Sequence, residues 1–357
     1  MRREAPLILG AGPAGSVAAI TLARAGAAPL LIDRDAVVGD ALCGGFLSWR
    51  SAERLRGLGV DPRELGARMV HRLVLIAGDR EGTAELPSPG FGLSRRALDS
   101  ALRERAVVTG ARLEIDRART VHPGVVEGEA REWHADAIFL ATGKHDVRGE
   151  GRPRWARDPA LGLRLRLPAQ ERLHALLSGR IELHLFDGGY AGIVLQEDGS
   201  ANVCLALRKS LLASAGGDPR VLLDRLAQAH PRFAERMAFA SPGLRVDSIG
   251  SVPYGWIARS TGAGVYRLGD QAAVIPSLAG EGMAIAMTSG EAAARAWLAG
   301  ESAPRFQQNF GRQALRPVRT AELIWRLGER PAGGRLLAAL TTGAPALARA
   351  AMALTRI

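Results

Sequence analysis

Residues 6 to 35 read PLILGAGPAGSVAAITLARAGAAPLLIDRD. Leu7 to Leu9 form a short apolar run, and glycines at 10, 12 and 15 follow with G-x-G-x-x-G spacing. An alanine-rich helical pattern then runs to Ala25, Gly26 stops it, and Leu30 to Ile32 make a second apolar run ending at Asp33. Parallel strands need a crossover, usually a helix, so this order predicts a βαβ unit within a buried parallel sheet. Each residue type has a reason. Gly10 permits the tight turn, Gly12 lets backbone approach a pyrophosphate, and Gly15 lets helix and strand pack closely. Pro13 and Ala14 complete the turn, and the helix N-terminus supplies partial positive charge. Asp33, with Arg34 beside it, stands where a carboxylate accepts hydrogen bonds from ribose hydroxyls. The unit suits NAD, NADP or FAD. An acid rather than an arginine at 33 argues against a ribose 2′-phosphate. No second fingerprint of equal quality occurs, so one dinucleotide is expected to be held firmly.

Three distant segments complete a pattern. VYRLGDQAAVIPSLAGEGMAIAMTSGEAAA (265 to 294) holds a Gly-Asp pair at 269 and 270, then Pro276, Gly280, Gly282 and Met283 before an alanine-rich helix. GLSRRALDSAL (92 to 102) opens a helix at Arg95, and WHADAIFLATGKHDVRG (133 to 149) is a strand ending at Thr142 and Gly143. Together these resemble FAD-dependent oxidoreductases of the para-hydroxybenzoate hydroxylase-fold superfamily, in the geranylgeranyl reductase-like branch. The resemblance implies that Asp270 binds the ribityl chain, that Arg95 reaches the cofactor, and that the amides of Gly282 and Met283 face the flavin. A helix N-terminus there favours the negative charge that gathers on a reduced flavin. Lys144, His145 and Asp146 stand where aromatic hydroxylases carry an Asp-Gly pair, a departure that bears on NAD(P)H handling. In GDALCGGFLS (39 to 48), Gly44 and Gly45 leave room for a planar ring. Cys43 beside them reads as a packing residue, a redox partner or a covalent attachment point.

The expected fold is α/β: a Rossmann-type FAD-binding domain (1–69, 90–150 and 257–300), an inserted, mostly antiparallel β-sheet substrate domain (70–89 and 151–256), and C-terminal helices (301–357). HRLVLIA near 71 to 77 and the alternating IELHLF predict strands, and turns at 187 to 189 and 197 to 200 predict a meander. Helices are expected over 305 to 327, then two more, broken at Pro331 and Pro345. The last stretch, LLAALTTGAPALARAAMALTRI, is apolar with spaced arginines. Core packing or a dimer face is its first reading, a peripheral membrane contact its second. No uninterrupted apolar run is long enough for a membrane span.

The net charge of +11 raises the question of nucleic acid. Lys144 and Lys209 are the only lysines, and the arginines are dispersed rather than clustered with aromatics, so no nucleic-acid partner is expected. MRREAPLILGAG runs into a strand with no signal-peptide cleavage pattern. Cys43 and Cys204, the only cysteines, make no disulfide framework, and a cytoplasmic location is expected. The expected assembly is a monomer or homodimer.

No G-x-S-x-G, H-E-x-x-H or Cys/His cluster occurs, and no metal is expected. The resemblance implies an FAD enzyme acting on a small molecule, with NAD(P)H as transient reductant. Oxygenation of an aromatic or polyketide-like compound stands first, as in secondary metabolism: ATGKHD is shared with bacterial relatives that accompany polyketide synthases. Reduction of isoprenoid or polyene double bonds stands second. The reductases' Tyr-x-Trp-x-Phe-Pro pattern is only echoed in GYAGIVLQ, where Tyr190 is kept and Gly192, Val194 and Leu195 replace the rest. A non-catalytic nucleotide- or nucleic-acid-binding protein stands third. Tyr190, Tyr254 and Trp256 are expected to line the substrate pocket. No residue is singled out as catalytic; His145 and His184 are the acid–base candidates weighed against structural roles.

Overall fold

The computed structural model describes residues 5–153 and 156–357. The fingerprint forms the strand Leu7–Leu9, the helix Pro13–Arg24 and the strand Leu30–Asp33. These lie in a five-stranded parallel sheet whose order is Val265–Arg267, Ile138–Leu140, Leu7–Leu9, Leu30–Asp33, Arg112–Ile115. Helices cover one face and a small antiparallel sheet (Thr120–His122, Val125–Glu127, Glu132–His134) packs on the other. That burial explains why the central strands read as unbroken apolar runs rather than alternating ones.

The alanine-rich helices have a packing reason. Pro13–Arg24 lies against Gly282–Leu298, and a Cβ on Gly290 would collide with the Ala14 carbonyl oxygen. Small residues on both surfaces therefore set the approach of the two helices that point their N-termini toward the cofactor region.

The second sheet has eight strands, ordered Asp247–Val252, Ala160–Leu167, Ala201–Arg208, Gly189–Leu195, Gly179–Phe186, Arg68–Ala77, Arg80–Gly92, Phe46–Leu47. Every pairing is antiparallel except that of Gly179–Phe186 with Arg68–Ala77. Phe46–Leu47, from the chain segment that follows the fingerprint, edges this sheet. The alternation in IELHLF has an unusual outcome, because both faces are buried. Leu183 and Leu185 face the helices of the C-terminal region, while Glu182 and His184 lie beneath Pro231–Met237, where Arg236 forms a bidentate pair with Glu182 at 3.0 Å. His184 thus has a structural partner on the opposite face from the cavity described below.

Ala303–Gly328 is one long helix that begins against Tyr266 and ends with Trp325 packed on Leu185 and Tyr190. Pro331–Gly343 and Pro345–Leu354 follow, each opened by its proline, which has no N–H to leave unpaired. Core packing does not account for the last helix, since none of residues 345–354 is buried. No single helix among the described residues is long and apolar enough to cross a membrane.

Candidate cofactor and substrate site

A cavity of about 1430 Å³ lies between the parallel sheet, the large sheet and the C-terminal helices. Single-ligand sites occupy roughly 300–1,000 Å³, so this one has room for a dinucleotide and a second molecule. Gly10, Gly12, Pro13 and Ala14 line it. Gly10 has φ +101°, and a Cβ there would lie 2.5 Å from the Ala141 carbonyl oxygen. Gly15 is not on the wall: its missing Cβ makes room for the Gly10 carbonyl, which lets helix follow strand without a gap.

Asp33 and Arg34 line the cavity as well. Asp33 accepts from the Ala11 amide (2.6 Å) and the Asp35 amide (2.9 Å), and lies 3.1 Å from the Arg103 guanidinium. The carboxylate therefore organises the turn while facing the cavity, and Arg103 is a partner the sequence reading missed. Arg34 pairs with Asp35.

Arg95 is the first residue of the helix Arg95–Thr109, whose N-cap Ser94 accepts from the Ala97 amide. Its guanidinium makes two bonds to Asp99 (2.8 and 2.6 Å) and would lie 3.5 Å from a Cβ on Gly12. Burial works against its charge, but Asp99 outweighs that and its pKa is raised. A fixed cation thus sits beside the glycine turn. Asp99 is the last residue of the R-x-x-L-D spacing, which places it one helical turn from Arg95.

Opposite the turn, the loop after Ile138–Leu140 is clasped to the Gly-Asp segment. Gln271 donates to the Gly143 and His145 carbonyls, both at 3.0 Å, Thr142 donates to the His145 carbonyl, and Gly269, with φ +56°, donates to Ser289. Lys144 lies 3.6 Å from Asp270. Buried Arg152 binds Asp146 and the carbonyls of Lys144 and Asp270. Lys144 and Asp146 therefore serve as a clasp in this chain. His145 beside them is held below its ordinary pKa, first by burial and then by Arg34, Lys144 and Arg152. Thr142, Gly143, Gly269 and Asp270 all face the cavity.

The segments expected to face the flavin converge here. Gly280, φ +68°, carries the chain past the Phe46 ring, and Gly282 and Met283 open their helix on the cavity wall. Pro276 is buried behind the wall, where it directs the loop rather than touching a ligand. Cys43 and Gly44 line the wall, and Asn202 donates to both of their carbonyls (3.0 and 2.9 Å). Cys204 also lines it, and burial pushes its thiol up to about 12. Glu281, fully buried at the start of the flavin-side helix, pairs with Arg356 from the chain's far end, and Arg356 stacks over Trp49 at 4.4 Å. Sequence reading gave no sign of this pair, which spans 75 residues.

Of the three aromatic candidates, Tyr190 and Tyr254 line the cavity and share Ser277 Oγ, at 2.8 and 2.5 Å. Trp325 backs both rings. Trp256 does not reach the cavity. Residues 253–256 form a turn, with the Trp256 amide bonded to the Pro253 carbonyl and Gly255 at φ +84°, so the alternation that would align positions 254 and 256 is broken.

An FAD molecule suits this wall. Gly44, Gly143 and Gly282 face open space in which a Cβ would meet nothing within 4 Å, leaving flat backbone against the cavity. Asp33 matches a ribose, and Arg95 with the helix N-terminus at Gly12 matches a pyrophosphate.

Comparison with known proteins agrees. The FAD binding domain family model matches residues 4–143. A digeranylgeranylglycerophospholipid reductase of Methanopyrus kandleri is 29% identical over 301 residues, covering 78% of this chain and 72% of the relative. A menaquinone reductase of Mycobacterium tuberculosis is 27% identical over 299 residues, with the same coverage of 78% and 72%. Among solved structures, the flavin-dependent brominase Bmp2 superposes with a TM-score of 0.78 at 17% identity, covering 98% of this chain and 92% of that one. A geranylgeranyl bacteriochlorophyll reductase-like protein of Thermoplasma acidophilum gives 0.76 at 19% identity, covering 98% and 94%. Glycine turn, ribose carboxylate, Gly-Asp segment and the matching family model agree on one conclusion: residues 4–143 carry an FAD binding domain, in a chain that shares its fold with the flavin-dependent brominase and the reductase-like protein.

Proposed function

We propose that this enzyme reduces carbon–carbon double bonds in an apolar, prenyl-like substrate, which puts alkene reduction ahead of the oxygenation that stands first on sequence alone. The observation that carries this reading is the aliphatic wall of the cavity beyond the flavin-side loop. Leu73, Leu75 and Leu86 come from one hairpin, Ile181, Leu183 and Leu185 from the neighbouring strand, and Leu278, Leu337, Leu340 and Leu347 from the loop and the C-terminal helices. Burying one methylene gains about 0.8 kcal/mol, so such a wall selects chain length and apolarity. A phenol or aromatic acid instead calls for buried polar partners to orient it. Sequence relatives with reductase names, spanning 78% of this chain, add support.

FAD supplies the hydride when bound and reduced; the other alkene carbon then needs a proton. Tyr190 and Tyr254 meet at Ser277 Oγ where the aliphatic wall joins the flavin-side loop. Desolvation raises both phenol pKa values, so both hydroxyls stay protonated at neutral pH and hold a proton at their Oη atoms. Met283 and Gly282 would present amides to the bound cofactor, and Asn202, which holds the carbonyls of Cys43 and Gly44, would keep that backbone in place beside it.

The test is product mass. FAD-loaded protein given NAD(P)H or dithionite and a prenylated quinone or lipid is expected to yield a product heavier by two hydrogens per reduced bond. A product carrying an atom of oxygen from labelled dioxygen would overturn the reading in favour of oxygenation.

A further inference from the structure

The last two helices, Pro331–Gly343 and Pro345–Leu354, meet at a bend of 112° and form the outer wall of the cavity. Leu340, Leu347 and Met352 line it from this side. Leu336, which does not line the cavity, is 50% exposed, and Leu340 and Leu347 on the cavity wall are 37% and 60% exposed. Isolated exposed leucines need no explanation, but an apolar helix with none of its ten residues buried, Pro345–Leu354, does.

Its charge is one-sided. Residues 330–357 contain Arg330, Arg335, Arg349 and Arg356 and no aspartate, glutamate or lysine. Arg356 turns inward to Glu281. Arg330, Arg335 and Arg349 are exposed, with no carboxylate partner among the described residues. Leucines flanked by arginines without acids are the pattern of a helix lying in a lipid interface, apolar side among acyl chains and guanidiniums at the phosphates. A second copy of the chain suits the surface less well. A two-fold interface would set elbow against elbow, bringing like charges together with no acid to offset them.

We propose that this elbow docks on an anionic lipid bilayer, and that the cavity is loaded with its apolar substrate from the lipid side. The docking stands on the exposed elbow itself; the loading step rests on the reductase reading and names the source of that reaction's substrate.

The experiment is flotation of the FAD-loaded full chain with phosphatidylcholine vesicles, with and without phosphatidylglycerol. Wild-type protein is expected to float with the phosphatidylglycerol vesicles, less as salt rises. One arginine near an anionic surface is worth about fivefold in partitioning, so Arg335→Ala with Arg349→Ala is expected to weaken it about 25-fold. Arg335→Lys with Arg349→Lys is expected to keep it, and Leu336→Asp to lose it. An unchanged flavin spectrum shows that each variant is folded. Three results would overturn docking: wild type left at the bottom of the gradient, the double alanine variant floating like wild type, or a dimer in sedimentation that the same substitutions dissolve. The loading step is tested by rate. The double alanine variant is expected to slow on a prenyl lipid embedded in vesicles and to match wild type on a short, water-soluble prenyl analogue. Equal rates for the two proteins on the embedded lipid would overturn loading. Wild type inert toward the soluble analogue would overturn the reductase reading while leaving the flotation result intact.

Discussion

Arg356→Ala tests how the chain's end supports the flavin-side loop. Glu281 has no exposed surface, and the Arg356 side chain is 4% exposed. Glu281 Oε2 already has no hydrogen-bond partner, so the arginine is what offsets this buried charge. Removing one partner of such a pair costs about 3–5 kcal/mol, because the survivor is left charged in a low-dielectric site. The stacking of Arg356 on Trp49 adds about 0.5–2 kcal/mol. A chain of 357 residues has an unfolding entropy of about 0.75 kcal/mol/K, so the ion-pair loss alone lowers Tm by about 4–7 °C. Calorimetry on FAD-loaded protein reads this directly. Glu281→Gln combined with Arg356→Met removes both charges and is expected to recover most of the loss. Two results would refute the reasoning: a Tm drop under about 1 °C for Arg356→Ala, or a double variant no more stable than the single one.

Three further outcomes follow from the geometry. Gly15→Ala sets a Cβ against the Gly10 carbonyl and displaces the helix from the strand, so the purified protein is expected to be colourless, as its absorbance near 450 nm will show. Arg95→Gln removes the cation beside Gly12 and leaves Asp99 facing the phosphates; FAD affinity measured by fluorescence is expected to fall by about 1.5–3 kcal/mol, on the order of ten- to a hundredfold. Burial opposes ionisation of Glu182, but hydrogen bonds with His184 and Arg236 outweigh it and hold its pKa down to about 2 from an ordinary 4.5. A depressed carboxylate contributes stability that is complete above about pH 4.5 and lost as pH falls through about 2. Glu182→Gln is therefore expected to destabilise the protein at pH 7 and to flatten the acid limb of its Tm profile between those values.

The legible parts of this protein are the ones governed by local rules. The glycine turn reads directly because each glycine answers a steric demand within a few residues, and Gly10 and Gly15 meet one another. The Arg95–Asp99 pair lies within one helical turn, so its spacing was available to sequence reading even though Asp99 was not singled out. Long-range pairings were not legible. Glu281 and Arg356 lie far apart in sequence, and nothing local marks either as buried. Trp256, expected on the pocket wall, lies off it because the turn at Gly255 interrupts the extended backbone. Glu182 and His184 hold the polar positions of an alternating strand, but a helix covers that side and supplies Arg236. The aliphatic cavity wall is assembled from a hairpin, a central strand and two terminal helices, so no single segment announces it.

The most direct test of the account is an anaerobic reoxidation experiment in a stopped-flow spectrometer. FAD-loaded protein is reduced with one equivalent of dithionite and mixed, without oxygen, with a prenylated quinone or lipid. Alkene reduction predicts that absorbance near 450 nm returns as the substrate takes up two hydrogens, and that Tyr190→Phe with Tyr254→Phe slows the return without releasing the flavin. A flavin that stays reduced until oxygen is admitted, and then yields an oxygenated product, would contradict it.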